Sequence, residues 1–367
     1  MRTVRQSNSL WIFRAMPFLL MPAALSACDP SLFPGIMNPQ NMPGTSFASA
    51  GLITLDANNS VVINDSISGA EVDVFDLGPM AVGDRIKVTV NGATGSVLDP
   101  TLAIFDADEE VFAINDDIDL AGGNFNSEID DFVADAGDHY YVCITKFFAG
   151  GQGGAYVATI QITRGGTAPT PPMQFLLLNF AGGPATIQGE GSFNLPAFDA
   201  ADIDAAYAGQ TATIKQTIAD TVRENFDGTG IVVVTSDENP MLTAGTFSTL
   251  HFGAFSGTKF GVADDVDTGN RNRCDDGIIF TNQFDDPFAT QPSVNGIAVA
   301  IGNVAAHEAG HLLGLNHVGD VTALMDNTGS ASTLLADQDF KTAPLSPSIF
   351  PFGSQNDVKL LRRVIPQ

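Results

Sequence analysis

His307-Glu308-Ala309-Gly310-His311-Leu312-Leu313-Gly314-Leu315-Asn316-His317 carries the spacing H-E-x-x-H-x-x-G-x-x-H. On a helix, residues four apart lie on one face, one turn apart, so His307 and His311 aim both imidazoles at one point. Glu308 sits beside them, near enough to reach a water held there. Gly314 lets the backbone leave the helix, because glycine accepts positive φ at little cost, and the turn returns His317 as a third nitrogen. Three neutral imidazoles with one open position describe a catalytic zinc site, not a closed structural one. Zinc lowers the pKa of its water to roughly 7, and Glu308 is placed to take that proton and hand it to a leaving amine. The bland alternative is a buried helix that happens to carry three His. The glycine and third His at fixed spacing weigh against it.

Ala323-Leu324-Met325-Asp326 follows shortly after His317. Here the chain resembles the metzincin metallopeptidases, and the run from His317 through Asp320 to Met325 resembles the matrixin branch of them. The resemblance implies that Met325 is the Met-turn residue beneath the zinc and that Asp320 is a buried carboxylate supporting it. Read alone, Met325 is a core thioether that fills gaps. Matrixins also carry a second, structural zinc held by three His and an Asp. This chain has five His, three of them already used, so that site cannot be built. The remaining two, His139 and His251, are read as local hydrogen-bonding or exposed residues.

The chain has 367 residues, with 42 Asp plus Glu against 16 Lys plus Arg, a formal net charge of −26. That length holds more than one domain. The charge argues against nucleic acid and anionic membrane surfaces as partners. It suits a soluble extracytoplasmic protein, with Ca2+ as a second candidate cofactor beside Zn2+. Abundant glycine suits β-rich domains with many turns.

Residues 1–27 read as a signal peptide: Arg2, Arg5 and Arg14 precede an apolar stretch too short for a membrane span. The sequence Leu25-Ser26-Ala27-Cys28 is similar to a bacterial lipobox. That resemblance implies cleavage before Cys28 and lipidation of its thiol, which would anchor the protein stably. A plain secretory signal cleaved near Ala27 is the alternative. The expected location is the cell envelope, on the periplasmic or surface side, or outside the cell if the lipobox is not used. Cys143 reads as a buried thiol, and Cys274 as structural or free.

The expected fold is multidomain: an N-terminal all-β jelly-roll-like sandwich, then a C-terminal α+β metzincin-like (zincin-like) catalytic domain. Residues 28–46 read as a tether. From 47 to 164, strand-like runs at Ile53–Leu55, Val72–Leu77, Arg85–Asn91, Leu102–Asp106, His139–Thr145 and Tyr156–Ile162 alternate with turns. Asp73-Val74-Phe75, Leu98-Asp99-Pro100 and Ala136-Gly137-Asp138-His139-Tyr140-Tyr141 give this segment a resemblance to the bacterial pre-peptidase C-terminal domain. Asn115, Asp116, Asp117 and Asp119 sit close enough in sequence to gather around calcium, with Asp130 or Asp131, or to form a solvated acidic loop. Residues 165–172 are a Gly/Pro linker.

From 173 to 367 the pattern is mixed. Gln174–Phe180 reads as a strand, and Asp202–Phe226 as a helix with Ile214, Ile218, Val222 and Phe226 on one face. Strands follow at Ile231–Thr235, Phe247–Phe252, Phe260–Ala263 and Gly277–Thr281. The histidine helix spans Ser293–Gly314, and a terminal helix is capped by Ser354.

The implied activity is that of a monomeric zinc metalloendopeptidase acting on extracytoplasmic protein or peptide substrates, with Glu308 as general base and His307, His311 and His317 as metal ligands. The rival is a non-catalytic, lipid-anchored surface binding protein in which zinc is structural. A structural site favours four protein ligands, and this motif offers three.

Overall fold

The computed structural model describes residues 42–120, 122–148, 151–238, 240–254 and 259–366. The signal segment and Cys28 lie outside them. Among the described residues, no helix is long and apolar enough to cross a membrane.

The first half is a sandwich of nine strands: β1 (Gly51–Leu52), β2 (Ser60–Ile67), β3 (Asp73–Asp76), β4 (Arg85–Gly92), β5 (Pro100–Phe105), β6 (Val111–Asn115), β7 (Ser127–Phe132), β8 (Tyr141–Lys146) and β9 (Gly154–Thr163). One sheet has the order β1-β3-β8-β5-β6 and the other β2-β9-β4-β7. Ile86, Val88 and Val90 on β4 and Ile160 and Ile162 on β9 face Leu102, Ile104, Val142 and Ile144 across the interior, and that apolar burial is what joins the two sheets.

Four strands were not anticipated, β1, β2, β6 and β7, and the run expected at Ile53–Leu55 is irregular chain just past β1. The β7 sequence Ser-Glu-Ile-Asp-Asp-Phe lacks the apolar content of an expected strand. Its acids are cross-strand partners instead, with Asp130 accepting from Arg85 at 2.6 Å and Glu128 from Lys87 at 3.2 Å.

The second half comprises β10 (Phe175–Asn179), β11 (Gly183–Ile187), β12 (Gly191–Leu195), α1 (Thr211–Asn225), β13 (Val232–Thr235), β14 (Phe247–Gly253), β15 (Gly261–Ala263), β16 (Asp276–Phe280), α2 (Val294–Leu312), β17 (Thr342–Pro344), β18 (Ser354–Asn356) and α3 (Asp357–Val364). Its main sheet has the order β13-β10-β14-β16-β15. All pairs are parallel except β15 with β16, which are antiparallel. Helices α1 and α2 pack with this sheet: Ile214, Ile218 and Val222 share a core with Leu176, Leu250, Phe252, Ile301 and Ala305. The β11–β12 hairpin buries Ile187 and Leu195 against Ile278 and Phe280.

Two boundaries differ from expectation. Residues 200–207 form two short 3-10 turns, because the Asp199 and Asp204 side chains each accept from a backbone N–H two residues on; α1 therefore starts only at Thr211. The cap of α3 is Asn356, which accepts from the Lys359 N–H, while Ser354 lies in β18.

The two halves are bound together. Residues Leu345 and Phe350 bury the outer face of the five-stranded sheet, against Val74, Phe105, Val111 and Cys143. From α3, Lys359 meets Asp106 at 2.5 Å and Glu110 at 3.0 Å. Arg363 donates to the Phe112 carbonyl (2.6 Å) and to Asp131 (2.9 Å), with its guanidinium 3.7 Å from the Phe112 ring centroid. Truncating Arg363 leaves Asp131 and that carbonyl short of a partner at a closed interface. Arg363→Ala is expected to cost about 2–3 kcal/mol by urea unfolding. Arg85→Ala, which breaks an exposed pair, should cost under about 1 kcal/mol.

Candidate metal centre

Helix α2 is buried almost all round, from Ile297 to Leu312. Ser293 caps it by accepting from the Gly296 N–H at 3.0 Å. His307 and His311 lie one turn apart near its end. The helix then breaks at Gly314, where φ is +90°, and a Cβ there would stand 2.7 Å from the Asp267 carbonyl oxygen. Both facts restrict the position to glycine. The break returns His317 to the other two rings.

The three Nε2 atoms lie 3.1, 3.1 and 3.2 Å from one another. A tetrahedral zinc with Zn–N of about 2.0–2.1 Å spaces its nitrogens by roughly 3.3–3.4 Å, close to what is seen. Tautomers follow from the other ring nitrogens. His307 Nδ1 donates to the Leu324 carbonyl and His311 Nδ1 to the Leu315 carbonyl, each at 2.8 Å. Both Nε2 atoms therefore present bare lone pairs, and hydrogen bonds within the trio cannot satisfy them together. Burial pushes the His307 and His311 pKa values down. Burial and the neighbouring His307 ring bring His317 to about 3. The rings are neutral ligands poised for a cation. No fourth His, Cys, Asp or Glu among the described residues joins the set, which leaves the open position of a catalytic site. The residues fit zinc.

Met325 is fully buried directly beneath α2. A Cβ on Gly310 would stand 2.6 Å from its Sδ, so the methionine fits only because that helix position has no side chain. Its carbonyl accepts from the Val318 N–H at 2.9 Å, tying the turn to the segment of His317. The expectation for Asp320 needs correction. It is not a buried support for the methionine but a partly exposed carboxylate paired with Lys341 at 2.9 Å. A hydrogen bond from the Thr322 N–H, then Lys341, holds its pKa down at about 2. Asp320 fails to be buried because it lies in the turn that its own oxygen caps.

Glu308 is 7 % exposed. Burial pushes its carboxyl up to about 8, opposed by Lys259 and the Ala263 N–H. Its carboxylate lies against Gly261, the first residue of edge strand β15: a Cβ there would stand 2.5 Å from Oε1. Gly261, Lys259 and the carbonyls of Leu315 and Leu324 were not anticipated, and no sequence motif marks them.

Among the described residues, the oxygens of the acidic loop that the sequence grouped do not all converge on one point. Asn115 Oδ1 is taken by the Glu128 N–H at 2.9 Å, and Asp119 Oδ1 by the Gly122 N–H at 2.7 Å. Asp116, Asp117 and Asp119 do not converge within metal-ligand reach of one another. His139 bonds Asp76 at 2.8 Å, and His251 bonds Asn179 at 3.1 Å. Cys143 is buried and free, Cys274 exposed and free.

Residues 193–342 match the Matrixin family model. That matrixin-like segment contains all three histidines, Glu308 and Met325. A search of the curated proteins finds no match. Among solved structures, the chain is similar to the archaemetzincin of Methanopyrus kandleri (12 % identity, 46 % of this chain and 88 % of that one, TM-score 0.27). It is also similar to the pre-peptidase C-terminal domain of a Bacillus anthracis collagenase (16 % identity, 31 % of this chain and 94 % of that one, TM-score 0.22). A third is the periplasmic inhibitor of g-type lysozyme from Aeromonas hydrophila (13 % identity, 30 % and 94 %, TM-score 0.24).

Two outcomes are expected. Free zinc about 1,000-fold above its Kd should stabilise the protein by roughly 4 kcal/mol; chelation lowers the melting temperature, zinc restores it, and His317→Ala abolishes the response. Gly261→Val should displace the Glu308 carboxylate, reducing peptide turnover by about 10-fold or more while zinc content by atomic absorption stays at one per chain.

Proposed function

We propose that this protein is a zinc-dependent endopeptidase, with His307, His311 and His317 as ligands and Glu308 as general base. The observation that carries the reading is the convergence of three uncharged imidazole nitrogens beside a buried carboxylate, with three protein ligands and no fourth among the described residues. When bound, zinc polarises a peptide carbonyl and lowers the pKa of water to roughly 7.

The remaining work falls to the chain. The Leu324 and Leu315 carbonyls hold His307 and His311 in the ligating tautomer. Glu308 Oε accepts the proton of the attacking water and delivers it to the departing amine nitrogen. Its acidity depends on the cation: the buried carboxyl alone favours its neutral form, and the positive charge of the ion and Lys259 restore the carboxylate. Among the described residues, edge strand β15 leaves one side unpaired in the sheet, so a substrate in extended form can add to it by main-chain hydrogen bonds. Gly261 brings that backbone against Glu308, which aligns a paired peptide with the base.

The substrate class is therefore extended polypeptide. The lipobox reading places the protein in the cell envelope, where such substrates are extracytoplasmic proteins.

Glu308→Gln keeps the shape and removes the base. It should bind zinc as the parent does and lose roughly 100-fold or more of its peptidase rate, measured as chelator-sensitive cleavage of casein. Full activity in this variant would exclude Glu308 as the base.

A further inference from the structure

A crevice of about 530 Å3 lies between the sandwich and the α+β half. One wall is Asp265–Thr268, which directly follows β15, together with Asn316, the neighbour of His317. The other is the loop after β6 and the Phe147–Phe148 corner after β8.

Among the described residues its lining is acidic, with seven carboxylates and one cation, Arg271. Three of the seven are engaged: Asp131 with Arg363, Glu128 with Lys87, and Asp267 with the Asn272 N–H. Asp116, Asp117, Asp119 and Asp265 meet no Lys or Arg among the described residues. Asp117 Oδ1 is buried with no hydrogen-bond partner. Burial, then the charges of Asp116, Asp99 and Asp265, push the Asp117 carboxyl up to about 6, so a cation placed here would relieve mutual repulsion.

Two further observations point to a ligand. Asn316, only 7 % exposed and next to His317, borders the crevice. The rim also holds exposed apolar side chains: Ile118, Leu120, Phe147 and Phe148, at 37–56 %. Exposed apolar side chains lining a polar groove suit a binding surface.

Position supplies the identity of the occupant. Gly261 touches Glu308, so the bond to be cleaved lies at the start of β15. Antiparallel pairing is the commoner and firmer arrangement, and it directs the residues upstream of that bond toward Ala263 and the crevice. The crevice wall begins two residues past the end of β15, and an extended substrate rises about 3.3 Å per residue, so a paired substrate reaches the crevice roughly four residues upstream of the cleaved bond.

We propose that this crevice extends the substrate cleft and takes a segment of the substrate polypeptide in which Lys or Arg alternates with apolar residues, starting about four positions before the cleaved bond. The proposal rests on the peptidase reading. Alternation follows from the extended form, whose side chains point to opposite faces, one toward the carboxylates and one toward the Phe147–Phe148 rim.

The test uses the full chain carrying Glu308→Gln and two fluorescein-labelled peptides with one cleavable core, preceded by either Lys-Leu-Lys-Leu or Glu-Leu-Glu-Leu. Fluorescence anisotropy should show the basic peptide binding at least about 10-fold tighter, with the advantage shrinking at high salt. Adding Asp117→Asn and Asp265→Asn should erase the preference, and Phe148→Ser should weaken both peptides, with unfolding midpoints retained. With Glu308 restored, the doubly neutralised variant should raise KM for the basic peptide and keep kcat. Equal or undetectable affinities for the two peptides, or a preference that survives neutralisation, would overturn the proposal. Cleavage of the core peptide without any upstream extension is read separately: its failure sinks the peptidase reading, while the affinity ratio still reports on the crevice.

Discussion

Three imidazole lone pairs aimed at one another inside a protein are mutually unfavourable unless a cation sits among them, and most of the architecture serves to hold them so. Neutral rings are enforced by burial. Two tautomers are enforced by carbonyls, one from the residue before Met325 and one from the residue after Gly314. The rings cannot swing away, because α2 is enclosed by α1, the sheet and the methionine turn.

The same constraint reaches into the sandwich. The turn at Gly314 packs against the Asp267 carbonyl, and the Asp267 N–H donates to the His311 carbonyl. The loop that carries Asp267 is held from behind: Thr268 donates to the Ile114 carbonyl and Arg271 to the Asp130 carbonyl. Both acceptors belong to β-strands of the sandwich. The β half thus braces the loop that closes the end of the histidine helix, and the same approach of the two halves creates the crevice. A net charge of −26 is spread over the surface, and four carboxylates that meet no Lys or Arg among the described residues, Asp116, Asp117, Asp119 and Asp265, collect where the halves meet, beyond the end of edge strand β15.

What was legible in the sequence followed a short-range rule. His307, His311, Gly314 and His317 are coupled by helix periodicity and one turn, so their convergence is local and needs no knowledge of the rest. The strand at 175–179, the apolar face of α1 and the start of the histidine helix near Ser293 were legible for the same reason. Other features were not. In β7, alternate acids disguise a strand because their cations lie on another strand, 41 to 45 residues away. Strand β6, Val-Phe-Ala-Ile-Asn, is buried on both faces up to its last residue. The alternation of a two-layer sandwich is hidden there because Phe350 and Leu345 cover its outer side. The Asp320 role failed because spacing from His317 says nothing about exposure.

The linear order of residues determined by itself the ligand trio, the base beside it and the turn that returns the third ring, because helical geometry relates residues a few positions apart. Only the tertiary structure decided which backbone lies against Glu308, which carbonyls orient the rings, and that Asp116 and Asp117 line one crevice with Asp265. Those relations join residues tens to hundreds of positions apart. They depend on how sheets and helices pack, which no local pattern encodes.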